Sequence, residues 1–399
     1  MVVNSDPVSD GRVRREAQAL AAAGHELTVY GVRWKGSEGR DDALGFAVVR
    51  PAMPAWTAEG GAVNLMRKTA RWYVRMKPLV DAALAVVPDA LHAHDLDTIG
   101  PASQAALARG VPCVYDDHEA SYVDKLPNYV PAELRGAKRV ALDAMTRNLQ
   151  RRGEALEREV RTRKLAAMIT VSESLADRLV ARFGGPRPVV VRNLPLLRDV
   201  PRTNALRERL GLAAGVKVLV HHGTVTEGSG LETAIRALRD LGGNFVLAVV
   251  GRVWRAERYE DLARAEAVAE RLRFVPFVPE DEMFRLVASA DVSVVPTEPN
   301  SVGNEFGIPN KLFESMMAGV PIVASDVPEV ASVLARTGAG ATFPARSPQD
   351  PAAFAAAVRR VLDPAVWQTC RAAGLAAARG EFHWERESRK LVALYEGIA

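Results

Sequence analysis

Cysteine is scarce in this chain of 399 residues: Cys113 and Cys370 are the two present, and they lie far apart. Two distant thiols exclude a disulfide-stapled scaffold and a cysteine-based metal site, and they fit a reducing compartment. Long apolar runs are missing too, since none reaches the roughly 18 residues that a membrane-crossing helix needs. The opening stretch MVVNSDPVSDGRVRRE lacks the charged, apolar and small-residue order of a signal peptide, so a cytoplasmic protein is expected. Repeats and low-complexity tracts are absent. Nor is there a strong excess of one charge: 52 Lys+Arg stand against 48 Asp+Glu. The surplus sits in residues 1–200, with 29 basic and 24 acidic side chains, and residues 133–164 alone hold ten and five. So local a surplus argues against nucleic acid as a partner.

What is present is alternation. Short β-branched runs at 2–4, 26–32, 46–50, 90–94, 113–117, 166–172 and 188–193 are separated by longer helical patterns. A second series follows at 216–222, 245–251, 273–278, 292–297 and 321–326. Strands apolar on both faces and alternating with helices predict parallel sheets covered on both sides. The proline-rich stretch 193–206 reads as a linker. The expected fold is therefore α/β: two doubly wound Rossmann-like domains with a central cleft. Residues 1–192 form the first, 207–375 the second, and 376–399 a closing helix that packs back on the first.

In open parallel sheets, ligands bind beyond the carboxyl ends of strands. One such loop is VVPTEPNSVGNEFGIPNKLFE, whose turn at Gly307, Ile308 and Pro309 leads into a helix starting near Asn310. Backbone amides at a helix start form an anion site, and Lys311 would add a formal charge there. Lysine in a first turn opposes the helix dipole, so a bound phosphate is its better explanation. Glu314, one turn on, can accept two hydrogen bonds from a vicinal diol such as a ribose. Against this stands the plainer reading of a solvated glutamate beyond ordinary turn punctuation.

The segment EFGIPNKLFESMMAGVPIVASDVPE closely resembles the donor-binding segment of retaining GT-B glycosyltransferases of family 4. SDGRVRREAQALAAAGHELTVYG, HAHDLDT, VYDDHE, ITVSESLADRL and HWERESRKLVALY resemble further parts of that family, so the likeness spans nearly the whole chain. It implies a metal-independent hexosyltransferase that moves a sugar from a nucleotide diphosphate sugar to an acceptor with retention of configuration. It gives Glu314 to the donor ribose and Glu305 to the donor sugar. Here the two glutamates have eight residues between them, one more than the family pattern, so that Phe306 stands at the family's sugar position and Asn304 is an alternative sugar contact. Relatives also carry an arginine and a lysine after the glycine of Gly223, where this chain has Thr224 and Gly228 to Ser229. Arg252, at a strand end, is expected to supply charge instead, with Phe277 near the base. The resemblance places His118 beside the donor sugar, as a hydrogen-bond partner for the sugar or its acceptor and not as a nucleophile. Asp10, Gly11, His94 and Asp95 are assigned to the acceptor side.

Asp95 and Asp97 invite a metal reading, but they lie in the first domain and the diphosphate site in the second, so a capping or acceptor-loop role is expected. His92 is read as strand packing and His94 as a cleft-lining residue. No cofactor or metal is expected. The basic segments 66–80 and 133–164 have the composition of helices on an anionic membrane, although a solvated basic face over an apolar stripe is the plainer explanation. The acceptor is left open between a small molecule, a glycan and a lipid-linked sugar. Two competing functions remain: a sugar-nucleotide epimerase of GT-B shape, and a non-catalytic GT-B adaptor, which the shifted glutamate and missing basic pair would suit.

Overall fold

A computed structural model of the chain describes residues 1–32, 39–53, 72–118, 135–163, 165–346 and 349–398. The chain forms two compact units, one of Met1–Asn193 with Glu387–Ala399 and the other of Leu194–Arg386. In the first, β1 (Thr28–Tyr30) pairs in parallel with β3 (Ala47–Arg50), and β2 (Gly39–Asp41) joins β3 antiparallel. β4 (Leu91–His94), β5 (Cys113–Asp117), β6 (Ala167–Thr170) and β7 (Val189–Val190) pair in that order, all parallel. Val2 bridges both groups, its N–H donating to the His92 carbonyl at 2.8 Å while Val3 donates to Tyr30 at 3.0 Å. The strand expected at 2–4 is thus reduced to a bridge at Val2, and the Asn4 side chain donates to the Asp97 carboxylate.

Helix α1 (Gly11–Ala22) starts at Asp10, whose carboxylate accepts from the amides of Arg12 and Val13. Val13, Ala17 and Leu20 bury its apolar stripe, and Arg12 and Glu16 bury beside them. Four-residue spacing puts those two charges on one helix face, so α1 carries an ion pair into the core. Helix α2 (Asp95–Arg109) follows β4 directly, with Asp95 at φ +62°. Helix α3 (Gly136–Thr162) buries Leu142, Leu149 and Val160.

The second unit has one parallel sheet in the order β10 (Leu272–Val275), β9 (Phe245–Val250), β8 (Lys217–His222), β11 (Val292–Val295), β12 (Ile322–Ser325) and β13 (Gly340–Phe343). Its strands are apolar on both faces because both are covered: Phe313 and Met316 pack with Val218 and Val220 on one side, Ile235 and Phe354 with Leu219 and Leu247 on the other. Chain order reverses between β8 and β11, which is where ligands bind in such sheets. Gly230, in the loop after β8, adopts φ +69°, and a Cβ there would meet the Pro296 carbonyl oxygen at 1.6 Å. Only glycine lets the β8 loop lie this close to the end of β11.

After β11 come α4 (Val302–Phe306) and α5 (Asn310–Met317). The C-terminal end comprises two helices rather than the single expected one: residues 376–380 belong to Pro364–Gly380, and α6 (Trp384–Glu396) follows. Within the second unit the Trp384 N–H donates to Pro195 O at 2.8 Å; within the first, Glu387 accepts from the Arg192 N–H at 2.8 Å. Among the described residues no helix is long and apolar enough to cross a membrane.

Candidate functional site

The second unit gathers a set of polar side chains at its β8–β11 switch point. β8 ends in His221 and His222, both buried, and Gly223 turns the chain away at φ +87°. The His221 Nδ1 lies 3.1 Å from the Val294 carbonyl, which can only accept, so the ring proton sits on Nδ1. The opposite nitrogen, Nε2, accepts from the Lys311 ammonium at 3.0 Å. Burial, then Lys311 and His222, hold His221 well below the ordinary histidine range. Burial also pulls Lys311 down to about 8, against the opposing pull of Glu314. His222 Nε2 lies 3.0 Å from Glu314 Oε2. Ser315 donates to the Lys311 carbonyl at 2.6 Å and meets Ser293 at 2.7 Å, tying α5 to β11.

The turn before α5 requires a correction. The Gly307 N–H donates to Gly303 O at 3.0 Å, and Pro309 has no N–H. The amides of the expected Gly307–Asn310 anion site therefore narrow to Ile308 and Asn310, with that of Lys311 next in the first turn. In α4, Ser301 accepts from the Asn304 N–H at 3.3 Å, and the Asn304 side chain donates to Asn300 at 2.7 Å. Glu305 and Phe306 are half-buried on the same short helix. Thr224 is exposed after Gly223. Gly228, at φ +82°, would place a Cβ 2.5 Å from the amide groups of Asn300 and Asn304, so a lysine there would displace both. Beyond β9 and β10, the Arg252 guanidinium lies 4.7 Å over the Phe277 ring, which is 63% exposed.

The first unit holds a second cluster. Asp116, fully buried, accepts two bonds from Arg12 at 2.8 Å and faces His94 Nδ1 at 3.0 Å. Arg12 also pairs with Glu16 at 2.9 Å. His118 stands with Nδ1 3.3 Å from Asp116 and Nε2 3.3 Å from Asp95. Burial opposes its charge, but Asp95 and Asp116 outweigh burial and push it up to about 10. The two flanking carboxylates favour the imidazolium form, which donates hydrogen bonds. Burial raises Glu16 to about 8 despite Arg12.

His94 lines no opening: it is fully buried, stacked on His92 at 4.4 Å. His92 packs as expected but also engages Tyr395 of α6, its Nδ1 lying 2.7 Å from the phenol oxygen. Neither Asp95 nor Asp97 caps α2; the first faces His118 and the second accepts from Asn4. Asp10 serves as the α1 cap, with Ser5 donating to it at 2.8 Å, and Gly11 is the first residue of that helix. Glu16, His92, His94 and Asp116 offer ligand atoms within 4.8 Å of one another. The Arg12 guanidinium already occupies the cationic place among them, touching both carboxylates. The residues present therefore fit a buried ion-pair network better than a metal centre.

The basic segment at 66–80 lies partly outside the described residues; of its residues, Met76 is fully buried. On α3, Arg139 pairs with Asp143 at 2.9 Å, so part of that basic face is internally balanced. Sequence reasoning missed His221, His222, Arg12 and Glu16. The signals that could have found them were two histidines at a strand end before a glycine, and an Arg-Glu pair on an apolar helix stripe.

Residues 12–193 match the model described as Glycosyltransferase Family 4, and residues 216–364 that described as Glycosyl transferases group 1. A glycogen synthase of Mycobacterium tuberculosis is 27% identical, over 96% of this chain and 89% of its own. A D-inositol 3-phosphate glycosyltransferase of Geodermatophilus obscurus is 33% identical, over 56% of this chain and 51% of its own. The sucrose-phosphate synthase of Thermosynechococcus elongatus superposes with a TM-score of 0.77 at 18% identity, over 99% of this chain and 97% of that one. Anabaena HepE, solved with UDP and glucose, superposes with 0.72 at 13% identity, over 99% and 98%. With both halves matched, the chain belongs to the group 1, family 4-like glycosyltransferases and has their GT-B fold.

Proposed function

We propose that the chain transfers a hexose from a nucleotide diphosphate sugar to an acceptor with retention of configuration and without a metal. The observation that carries the reading is the pairing of Lys311 with His221 and of Glu314 with His222 at the sheet's switch point. That pairing supports one cation for a diphosphate and one carboxylate for a diol, three residues apart. The anionic end of the donor lies against the start of α5 and Lys311, where charge developing on the leaving phosphate is stabilised. Glu314 accepts from the ribose hydroxyls. Arg252 and Phe277 flank the base, and Glu305 or Asn304 meets the sugar. The acceptor is recognised by first-unit residues around Asp95 and His118. Its hydroxyl attacks on the face from which the phosphate departs, the phosphate oxygen takes its proton, and no side-chain nucleophile is needed.

The bound nucleotide in Anabaena HepE makes UDP the first donor nucleotide to try. The deciding test is thermal shift and titration with UDP, GDP and ADP, wild type against Glu314→Ala. Two charge-assisted hydrogen bonds contribute roughly 1.5–3 kcal/mol each, so the variant should lose at least about a hundredfold in affinity. No binding by the wild type, or equal binding by both, would leave the adaptor reading in possession. Conversion of a nucleotide sugar to an epimer without acceptor would sink the transferase.

A further inference from the structure

The loop from Gly223 to Gly230 contains no basic residue. Lys311 is the cation the structure places against the end of β8, and what holds it matters. A lysine ammonium on a four-carbon stem is mobile, and fixing it costs side-chain entropy. Its nearest opposite charge is Glu314, three residues on along the same helix. Residues so spaced are neighbours on a helix surface. Left to themselves, the two would close on each other and neutralise both the phosphate-binding cation and the diol-binding carboxylate.

The end of β8 keeps them apart. His221 takes the Lys311 ammonium at 3.0 Å, and His222, the next residue, meets Glu314 at 3.0 Å. Each histidine is 1% exposed and rooted in the strand. The His221 tautomer is set from behind by the Val294 carbonyl of the adjacent strand. Its Nε2 lone pair therefore points at Lys311 whether or not a ligand is bound. An ammonium has three donors, and one bond to His221 leaves two for phosphate oxygens.

We propose that His221 is a positioning residue of the donor site, holding Lys311 away from Glu314 and towards the diphosphate, in place of basic side chains that the β8 loop lacks. The inference rests on the donor reading above. Glutamine at 221 keeps an acceptor near the Nε2 position; asparagine is too short to reach Lys311 yet can still bond Val294; leucine offers no acceptor.

The test is calorimetric titration of wild type, His221→Gln, His221→Asn and His221→Leu. The ligands are whichever of UDP, GDP and ADP binds the wild type most tightly, and the nucleoside of the same base. Asparagine and leucine should weaken the diphosphate about tenfold while glutamine restores most of it, and the nucleoside should bind all four alike. Unfolding midpoints of the free proteins check folding, and if leucine fails to fold, the glutamine–asparagine pair decides. Equal loss for nucleoside and diphosphate would mark a merely structural histidine and overturn the proposal, as would asparagine matching glutamine. If no diphosphate binds the wild type, the donor reading falls and this proposal with it.

Discussion

Arg12 and Asp116 form a two-pronged ion pair in the core of the first unit, Nε to Oδ2 and Nη2 to Oδ1 both at 2.8 Å, with neither side chain more than 2% exposed. Removing one partner strands the other charge away from water. Arg12→Met should therefore cost roughly 3–5 kcal/mol of stability in urea unfolding. The pair Arg12→Met with Asp116→Asn should cost less than the sum of the singles, because the stranded charge is gone. Strict additivity would show that the two side chains act independently.

Glu157 on α3 accepts a hydrogen bond from the Tyr115 phenol at 2.9 Å, and burial followed by the nearby Asp117 pushes its carboxyl up to about 8. A carboxyl raised in the folded state favours folding fully below its unfolded value near 4.5, and that contribution disappears as pH rises through 8. The first unit should thus lose stability between about pH 4.5 and 8, with Glu16, also pushed up to about 8, acting in the same window. Glu157→Gln keeps an acceptor for Tyr115 and removes one titration. Its stability curve should be flatter than the wild type's over that range. Superimposable pH profiles would show that Glu157 stays ionised throughout.

The parallel strands were legible because most of them are short apolar, β-branched runs between helical patterns, a signal that needs no tertiary context, although β4 and β5 also carry His92, His94, Asp116 and Asp117. The strands that escaped are edges: β2 is Gly-Arg-Asp, half in water, and β13 opens on Gly340. Neither has the apolar run that marks a buried strand. The α5 start, Lys311 and Glu314 were readable from turn chemistry and charge placement. Their partners were not, since His221 and His222 belong to an otherwise ordinary apolar strand and meet α5 only through folding. Gly307 misled for a related reason: its N–H is taken by a carbonyl of α4, a short helix that does not stand out in the sequence. His94 misled because a strand-end histidine looks accessible until Asp116 and His92 close over it.

Phe277 leaves a large apolar ring 63% exposed beneath the Arg252 guanidinium, an arrangement that packing does not require. Exposed sites of this kind change stability by about 0.5 kcal/mol or less when substituted. Stacking of a base on an aromatic ring contributes roughly 1–3 kcal/mol. Phe277→Ala should therefore leave the unfolding midpoint nearly unchanged and weaken the nucleoside and the nucleoside diphosphate by the same factor. This is the opposite signature to that expected at His221. Loss confined to the diphosphate would place the base elsewhere and leave Arg252 as the reason for the effect.

Lys311 provides the sharpest pH test. Lys311 faces His221, from β8, and Glu314 on its own helix; burial outweighs the latter and pulls the ammonium down to about 8. Below that value the free protein presents a cation to the diphosphate, and above it a neutral amine. A bound anion raises the lysine's proton affinity, so diphosphate affinity should fall by up to about tenfold per pH unit above 8, until the complex itself titrates. The ligand does not produce this slope, because phosphate's second ionisation lies near pH 6 and is complete well below the window. Lys311→Met should bind more weakly at pH 7 and lose the slope between pH 7 and 9.5. The nucleoside, lacking phosphate, is the control: any change it shows over that range belongs to its base and is subtracted from that of the diphosphate. A flat diphosphate profile in the wild type would mean that Lys311 does not meet the diphosphate, and the charge would then have to come from Arg252 and the α5 amides.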